Sequence, residues 1–315
     1  MIVEVRPAAE PDLAAFVAIR NAVTPDWPAS VEEIAWATAT YPGGIRLIAT
    51  LDGRAVGAAN AGRIYMYPPQ HELWWGEITV LPEARRRGAG GALLAGLSAS
   101  AREAGKTGFH VPCSDARRDG IAFLEHRGFT EYERARAVRL EISPDVTVPL
   151  DLPDGISLVA LADRPQLVRG VHEVALEAIG DIPGDGEAMT VGDFDEFRAR
   201  DVERPGIRAD GFMVALAGED VVGYASVQVE GGRPDVGIHD MTAVRPAWRG
   251  RGIATVLKAA TIGWARAAGL AALETGNDVE NAPMRAVNAR LGYRPLPDIV
   301  FMRGPLVEEP AEPTG

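Results

Sequence analysis

The chain has 315 residues, 47% hydrophobic and 24% charged, with a formal net charge of −12. That composition belongs to a folded globular protein and excludes a low-complexity or disordered one. The length accommodates about two domains. No apolar run reaches the roughly 18 residues of a membrane span, and the start MIVEVRPAAEPD lacks the basic and apolar regions of a secretory leader; a cytoplasmic location is expected. Cys113 is the only cysteine. It rules out an internal disulfide and a Cys-based zinc site, so no metal is expected, and no neighbouring His or acid marks it as a nucleophile. The charge is −2 over residues 1–150 and −10 over residues 151–315. Such a surface, without a basic stripe, disfavours nucleic acid and suits a cationic small molecule, although solubility alone also accounts for it.

In chain order, VEVRPA (3–8) predicts a strand and PDLAAFVAIRNAV (11–23) a helix. LIATLDGRAVGAAN (47–60) predicts a hairpin turning at Asp52-Gly53, and LWWGEITV (73–80) a longer strand. A helix then runs to Gly105, a C-terminal cap, followed by the strand GFHVPC (108–113) and a helix ending at Arg127-Gly128. ERARAVRLEI (133–142) alternates with period two and closes the first half, and the proline-punctuated 143–155 reads as a linker. The second half repeats the series: strand 156–161, helix 163–179, hairpin 212–227 across Gly218-Glu219, strand VGIHDMTAV (236–244), helix to Gly269, strand 270–276, helix to Leu291-Gly292 and a last strand. The tail 304–315, acidic and proline-rich, is expected to be disordered.

The repeat is register-true in its most distinctive part. At an offset of 164, Val80 pairs with Val244, Pro82 with Pro246, Arg85 with Arg249, Arg87 with Arg251, Gly88 with Gly252 and Gly128 with Gly292. A duplicated domain follows, with expected boundaries 1–145, 146–155 for the linker and 156–303.

The shared phrase VLPEARRRGAG (80–90) or VRPAWRGRGIA (244–254) hands a strand to a helix through Arg-x-x-Gly-x-Gly/Ala. Backbone N–H groups there, with the positive end of the helix dipole, form an anion site, and glycine allows close approach or positive φ. The arginines are suited to charge-assisted bonds with phosphate. Neither copy has the Gly-Lys-Ser/Thr ending of an NTPase loop or the dinucleotide fingerprint, so a different pyrophosphate is indicated.

These residues resemble the GNAT superfamily of acyl-CoA-dependent N-acyltransferases over nearly the whole chain, as two consecutive domains. The resemblance implies an α/β fold in which each domain has a mixed, mostly antiparallel sheet flanked by helices, with a splayed central strand pair. It implies acetyl-CoA, or another acyl-CoA, as cofactor and a small-molecule amine as partner, with no nucleic acid or membrane and a monomer or homodimer. The tandem layout is similar to that of the mycothiol synthase family, which would make an amino-sugar thiol precursor the acceptor.

Under this resemblance the cofactor contacts are Thr242, Ala243, Val244, Arg249, Gly250, Arg251, Gly252, Ile253, Ala254, Asn277, Asn281 and Asn288 in the second half. In the first half they are Thr79, Val80, Arg85, Arg86, Arg87, Gly88, Ala89 and Gly90. TGNDVENAPMRAVNARLGY (275–293) matches a further GNAT helix; Asn288 stands where many relatives have a tyrosine that protonates the thiolate. The first half has Arg117 and Leu124 where the second has Asn281 and Asn288, so the second half is expected to be catalytic and the first degenerate. Both lack the tyrosine, which leaves a non-catalytic acyl-CoA-binding protein as the alternative.

Acyl transfer to an amine requires removal of the ammonium proton. Asp240 and His239 are the candidates on strand 236–244, where alternation lets only one face the cleft without a bulge. Glu77, near His71 and Glu72, is the first half's best carboxylate. Trp74 and Trp75 either floor a pocket or belong to the core. Asp181, Asp185, Glu187 and Asp193 either attract a cationic acceptor or form a solvated loop and helix cap.

Overall fold

The computed structural model describes residues 2–143, 148, 150–182 and 187–308. The elements in chain order are β1 (Val3–Pro7), α1 (Leu13–Val23), α2 (Val31–Thr40), β2 (Ile45–Leu51), β3 (Arg54–Arg63), β4 (Leu73–Val80), α3 (Ala89–Glu103), β5 (Gly108–Ser114), α4 (Arg118–Glu125) and β6 (Thr130–Glu141). They continue with β7 (Ile156–Ala160), α5 (Val168–Ala178), α6 (Phe194–Phe197), β8 (Met213–Ala217), β9 (Asp220–Val229), β10 (Val236–Val244), α7 (Ile253–Ala267), β11 (Ala272–Asp278), α8 (Ala282–Arg290), β12 (Arg294–Pro295) and β13 (Ile299–Pro305). The hairpin between β2 and β3 turns at Asp52 (φ 51°) and Gly53 (φ 79°), the paired positive φ values expected of a tight two-residue turn.

Two compact units result. One comprises the chain up to Ile64, Pro69–Glu133 and the segment from Ile299 onward; the other comprises Tyr65–Pro68 and Arg134–Asp298. In the first, β1-β2-β3-β4-β5-β13 form the sheet, with β4–β5 parallel and the other pairs antiparallel. In the second the order is β7-β8-β9-β10-β11-β6, with only β10–β11 parallel and β12 added to β6.

The units therefore do not follow the boundaries 1–145 and 156–303. Most of β6, the last strand of the first half, pairs with β11 from Ala272↔Glu141 to Asp278↔Ala135. Conversely β13 pairs with β5 from Ile299↔Ser114 to Pro305↔Gly108. The physical reason lies in burial: Val300 and Met302 of β13 are 0% and 1% exposed among Leu93, Leu97, Phe109 and Phe129 of the first unit, worth about 1.5–3 kcal/mol each.

The disorder expected from residue 304 begins too early. Gly304 and Pro305 belong to β13, and the Val307 amide donates to Ser98 Oγ at 3.0 Å; residues 309–315 lie outside the described residues, as do 144–147 and 149 of the expected linker. Helix α2 was not predicted, although Ser30 and Glu33 form a reciprocal capping box legible as Ser-x-x-Glu.

The second unit buries both sheet faces. Val171, Val174, Phe197, Phe212 and Tyr224 fill the α5 side, while Val227, Leu257, Ile262 and Leu273 fill the α7 side. Trp74 is 7% exposed within the first unit's core, which settles it as a packing residue.

Candidate active site

Each unit has a parallel strand pair that opens after three residues. Strand β4 pairs with β5 over Leu73–Trp75, and β10 with β11 over Val236–Ile238. Past Ile238, β10 continues to Val244 on β9 alone, so its other edge offers backbone N–H and C=O groups to an extended chain of amides. Thr275 on β11 sits at the apex, its Oγ1 3.5 Å from the His239 carbonyl oxygen.

At the far end of each splay lies the glycine-rich loop. Pro82–Ala84 and Pro246–Trp248 form single 3-10 turns, and Gly88 (φ 93°) and Gly252 (φ 85°) then cap α3 and α7 without any capping side chain. The first-turn amides are thus available to an anion. A left-handed residue precedes each cap by two positions, Gly250 at φ 75° in one copy and Arg86 at φ 61° in the other.

The signature arginines are engaged within the protein on two sides. Arg85 Nε donates to the Val80 carbonyl at 3.1 Å and Arg249 Nε to the Val244 carbonyl at 3.0 Å. Their Nη1 atoms pair with Asp119 at 2.6 Å and Asp181 at 2.7 Å. Both arginines fasten the loop back onto the strand, which holds the helix amides in place. Arg251 stacks on Trp248, with its guanidinium carbon 4.6 Å from the ring centroid.

The two copies part at the strand before the loop. In the first unit β3 and β4 pair without interruption from Gly57↔Val80 to Arg63↔Trp74. In the second, His239↔Val227 is followed by Thr242↔Ala225, so β10 carries one extra residue. This bulge re-aims the side chains. His239 turns to the α7 side, 4% exposed and 6.2 Å from the Tyr293 ring. Asp240 lies on the opposite side, 3.6 Å from Arg204, and Met241 and Ala243 join the α5-side core.

Asp240 therefore keeps company with a polar set. Its carboxylate has 34% of its side-chain surface exposed. Arg204 also donates to Gln228 Oε1. Burial pushes the Asp201 carboxyl up while Arg200, 2.7 Å away, pulls it down; Tyr224, fully enclosed, is raised by burial and then by Asp201 and Asp240. The loop Tyr65–Pro68 reaches this unit: the Met66 carbonyl accepts from the Thr190 amide at 2.8 Å and the Tyr65 carbonyl from Arg200 at 3.1 Å.

Other candidates have structural duties. Glu77 is held by Arg20 Nε at 2.9 Å, with 17% and 16% of the two side chains exposed. Thr79 is buried and its Oγ1 donates to the Ala58 carbonyl. Ala89 and Ile253 are buried helix starts, and a Cβ at Gly90 would stand 3.1 Å from the Phe123 ring. Ala254 packs on the Ile253–Leu257 cluster. Asn281 caps α8 by accepting from the Met284 amide at 3.2 Å, whereas Arg117 leads into α4 with no capping bond. Leu124 is core. Burial pushes the Cys113 thiol up to about 11, so it remains a protonated thiol at neutral pH. In the acidic segment Asp181 serves Arg249, Asp193 caps α6 by accepting from the Glu196 amide at 2.9 Å, Glu187 is half-buried, and Asp185 lies outside the described residues.

Asn288 is 2% exposed, and its Nδ2 donates to Asn277 Oδ1 at 2.6 Å. The pair bridges β11 and α8 along the open side of the splay. Asn288 Oδ1, both ring nitrogens of His239 and the Tyr293 hydroxyl are buried without a hydrogen-bond partner among the described residues. Lys258 of α7, 1% exposed, was missed in the sequence; its Nζ lies 5.4 Å from the Tyr293 ring centroid. The signal was its rarity, since the chain has two lysines against thirty arginines.

A duplicated mixed sheet with a splayed parallel pair ending in an amide-lined helix start defines an acyl-CoA-dependent N-acyltransferase. The pattern of the Acetyltransferase (GNAT) family matches residues 16–129 and 186–293, and the chain belongs to that family: it is a tandem GNAT-type N-acetyltransferase that uses acetyl-CoA. In each unit the amide slot and the helix start fit the amide-rich arm and pyrophosphate of that molecule. The chain is 29% identical over 231 residues, 71% of each chain, to the mycothiol acetyltransferase of Catenulispora acidiphila. It is 27% identical to that of Nocardiopsis dassonvillei, over 78% of this chain and 77% of the other. Over 101 residues, 30% of this chain and 66% of the relative, it is 31% identical to the aminoglycoside N(6')-acetyltransferase type 1 of Stenotrophomonas maltophilia. Among solved structures, a tandem GNAT protein from the clavulanic acid biosynthesis pathway superposes with a TM-score of 0.77 at 22% identity, covering 99% of this chain and all of its own. No helix among the described residues is long and apolar enough to cross a membrane.

Proposed function

We propose that the second half transfers the acetyl group to a primary amine of a small, cationic molecule by direct attack in a ternary complex. The observation that carries this reading is the β10 bulge, which presents Asp240 on the α5 side while β4 has no bulge and Glu77 is closed off by Arg20. Acetyl-CoA supplies the activated acyl carbon. Asp240 takes the ammonium proton, and Arg204 holds the carboxylate in place. The α7 amides after Gly252 and the β10 edge orient the donor, fastened by Arg249. Asn288 has one N–H committed to Asn277 and no acidic proton to give.

The relatives named for mycothiol and aminoglycosides support an acceptor of the amino-sugar class, a thiol-bearing precursor included. The first half retains loop and splay and, in this reading, binds acyl-CoA without turning it over. The test is thiol release from acetyl-CoA across an amine panel led by amino sugars. Arg249→Met with Gly252→Ala is expected to lower kcat/KM at least 100-fold, and Arg85→Met with Gly88→Ala less than threefold. The reverse pattern would assign catalysis to the first half.

A further inference from the structure

Lys258 occupies a place where a lysine needs a reason. It sits on the inward face of α7, 1% exposed, in a chain that otherwise meets its need for cations with arginine, Lys106 excepted. Arginine cannot release its proton at accessible pH, whereas lysine can. The groups that face it are His239 from β10 and Tyr293 after α8. The adjoining strands β8, β9 and β11 bring it no charged partner, and no ion pair involving it exists among the described residues. Burial alone pushes the amine down to about 7 and, with Lys258 adding to it, holds His239 neutral.

The position is as telling as the chemistry. His239 is the first β10 residue beyond the parallel pairing, so the cluster lies at the apex of the splay. Asn288 Oδ1, His239 Nδ1 and Nε2, and Tyr293 Oη are all buried without partners among the described residues. Three of these atoms belong to the two groups that face the amine, His239 and Tyr293, and they are costly unless a bound group satisfies them.

We propose that Lys258 Nζ is the proton source for the departing sulfur, the role that Asn288 cannot fill. The inference rests on the second half being the acetyl-transferring one. As the acceptor nitrogen forms its bond to the acyl carbon, the carbon–sulfur bond breaks and the sulfur takes a proton from the Lys258 ammonium. The acceptor nitrogen releases one proton to solvent, and solvent returns one to Nζ, so charge and protons balance. His239 and Tyr293 are positioning residues that fix the amine at the apex.

Because only two lysines exist, the full chain carrying Lys106→Arg and 13Cε-labelled lysine reports Lys258 by itself. Its resonance is expected to titrate with a midpoint near 7. Coenzyme A is expected to shift that midpoint through contact of its terminal thiol with the amine, and desulfo-coenzyme A to leave it unmoved. In turnover, wild-type kcat falls as pH rises through the midpoint, and Lys258→Met lowers kcat about 100-fold, removes that alkaline limb and leaves KM for acetyl-CoA unchanged. A midpoint near 10, equal responses to the two coenzymes, or a Lys258→Met enzyme with wild-type kcat and pH profile would overturn the proposal. If no amine in the panel is acetylated, the functional reading fails, while the resonance with the two coenzymes still decides whether Lys258 faces the sulfur.

Discussion

At the scale of single residues, buried titratable groups and left-handed positions set the sharpest expectations. Gly252 has φ 85° and open space around its Cβ position, so Gly252→Ala incurs only the left-handed strain of roughly 1–2 kcal/mol. That strain displaces the loop and is expected to raise the acetyl-CoA Kd about tenfold by calorimetry. Lys258 binds its proton less tightly folded, about 7, than unfolded, 10.5. Between those values the unfolded chain holds more protons, so stability rises with pH, by up to ~1.4 kcal/mol per unit. Denaturant melts from pH 7 to 10 are expected to show that rise in the wild type and a flatter curve in Lys258→Met. His239, held well below 6.5 by burial and Lys258, has the same sign at lower pH: stability falls as pH drops below 6.5, and His239→Phe weakens the fall. The glycine-rich loops were legible because their backbone needs glycine at left-handed positions and arginine to hold the strand carbonyl. Lys258 was harder to see, since nothing local tells a buried lysine from a surface one.

At the scale of elements, the bulge on β10 separates two otherwise parallel constructions. His239 and Thr242 bracket one more residue than Val227 and Ala225 opposite them. Deleting Asp240 returns Met241 to the position after His239, with Met241 and Ala243 still on the α5 side, so the ladder closes as β4 does. The deletion is expected to leave the thermal midpoint within a few degrees of wild type and to abolish turnover, which circular dichroism and thiol release would measure together. The sequence predicts both long strands to the residue, Leu73–Val80 and Val236–Val244, yet a bulge leaves no mark in an apolar run. The sequence comparison within the chain aligned Glu77 with Met241 and Gly76 with Asp240, and only the pairing register shows why the carboxylate moved.

At the scale of the whole molecule, the exchange of β6 and β13 ties the halves of the sequence to each other's sheets. Composition could not show this, because a strand's alternation fixes its inward face and leaves its neighbour open. Truncation after Asp298 removes Val300 and Met302 from the first unit's core, a loss of roughly 3–6 kcal/mol. Residues 1–145 expressed alone are expected to be insoluble or molten by near-ultraviolet circular dichroism and to recover structure when co-expressed with 146–315. The exchange also sets a clock on biosynthesis. Strand β5 ends at Ser114 and its partner β13 begins at Ile299. At about 5–20 residues per second, the nascent first unit carries an unpaired sheet edge for roughly 10–40 seconds before the ribosome delivers the strand that covers it, long enough for chaperone capture to compete with folding.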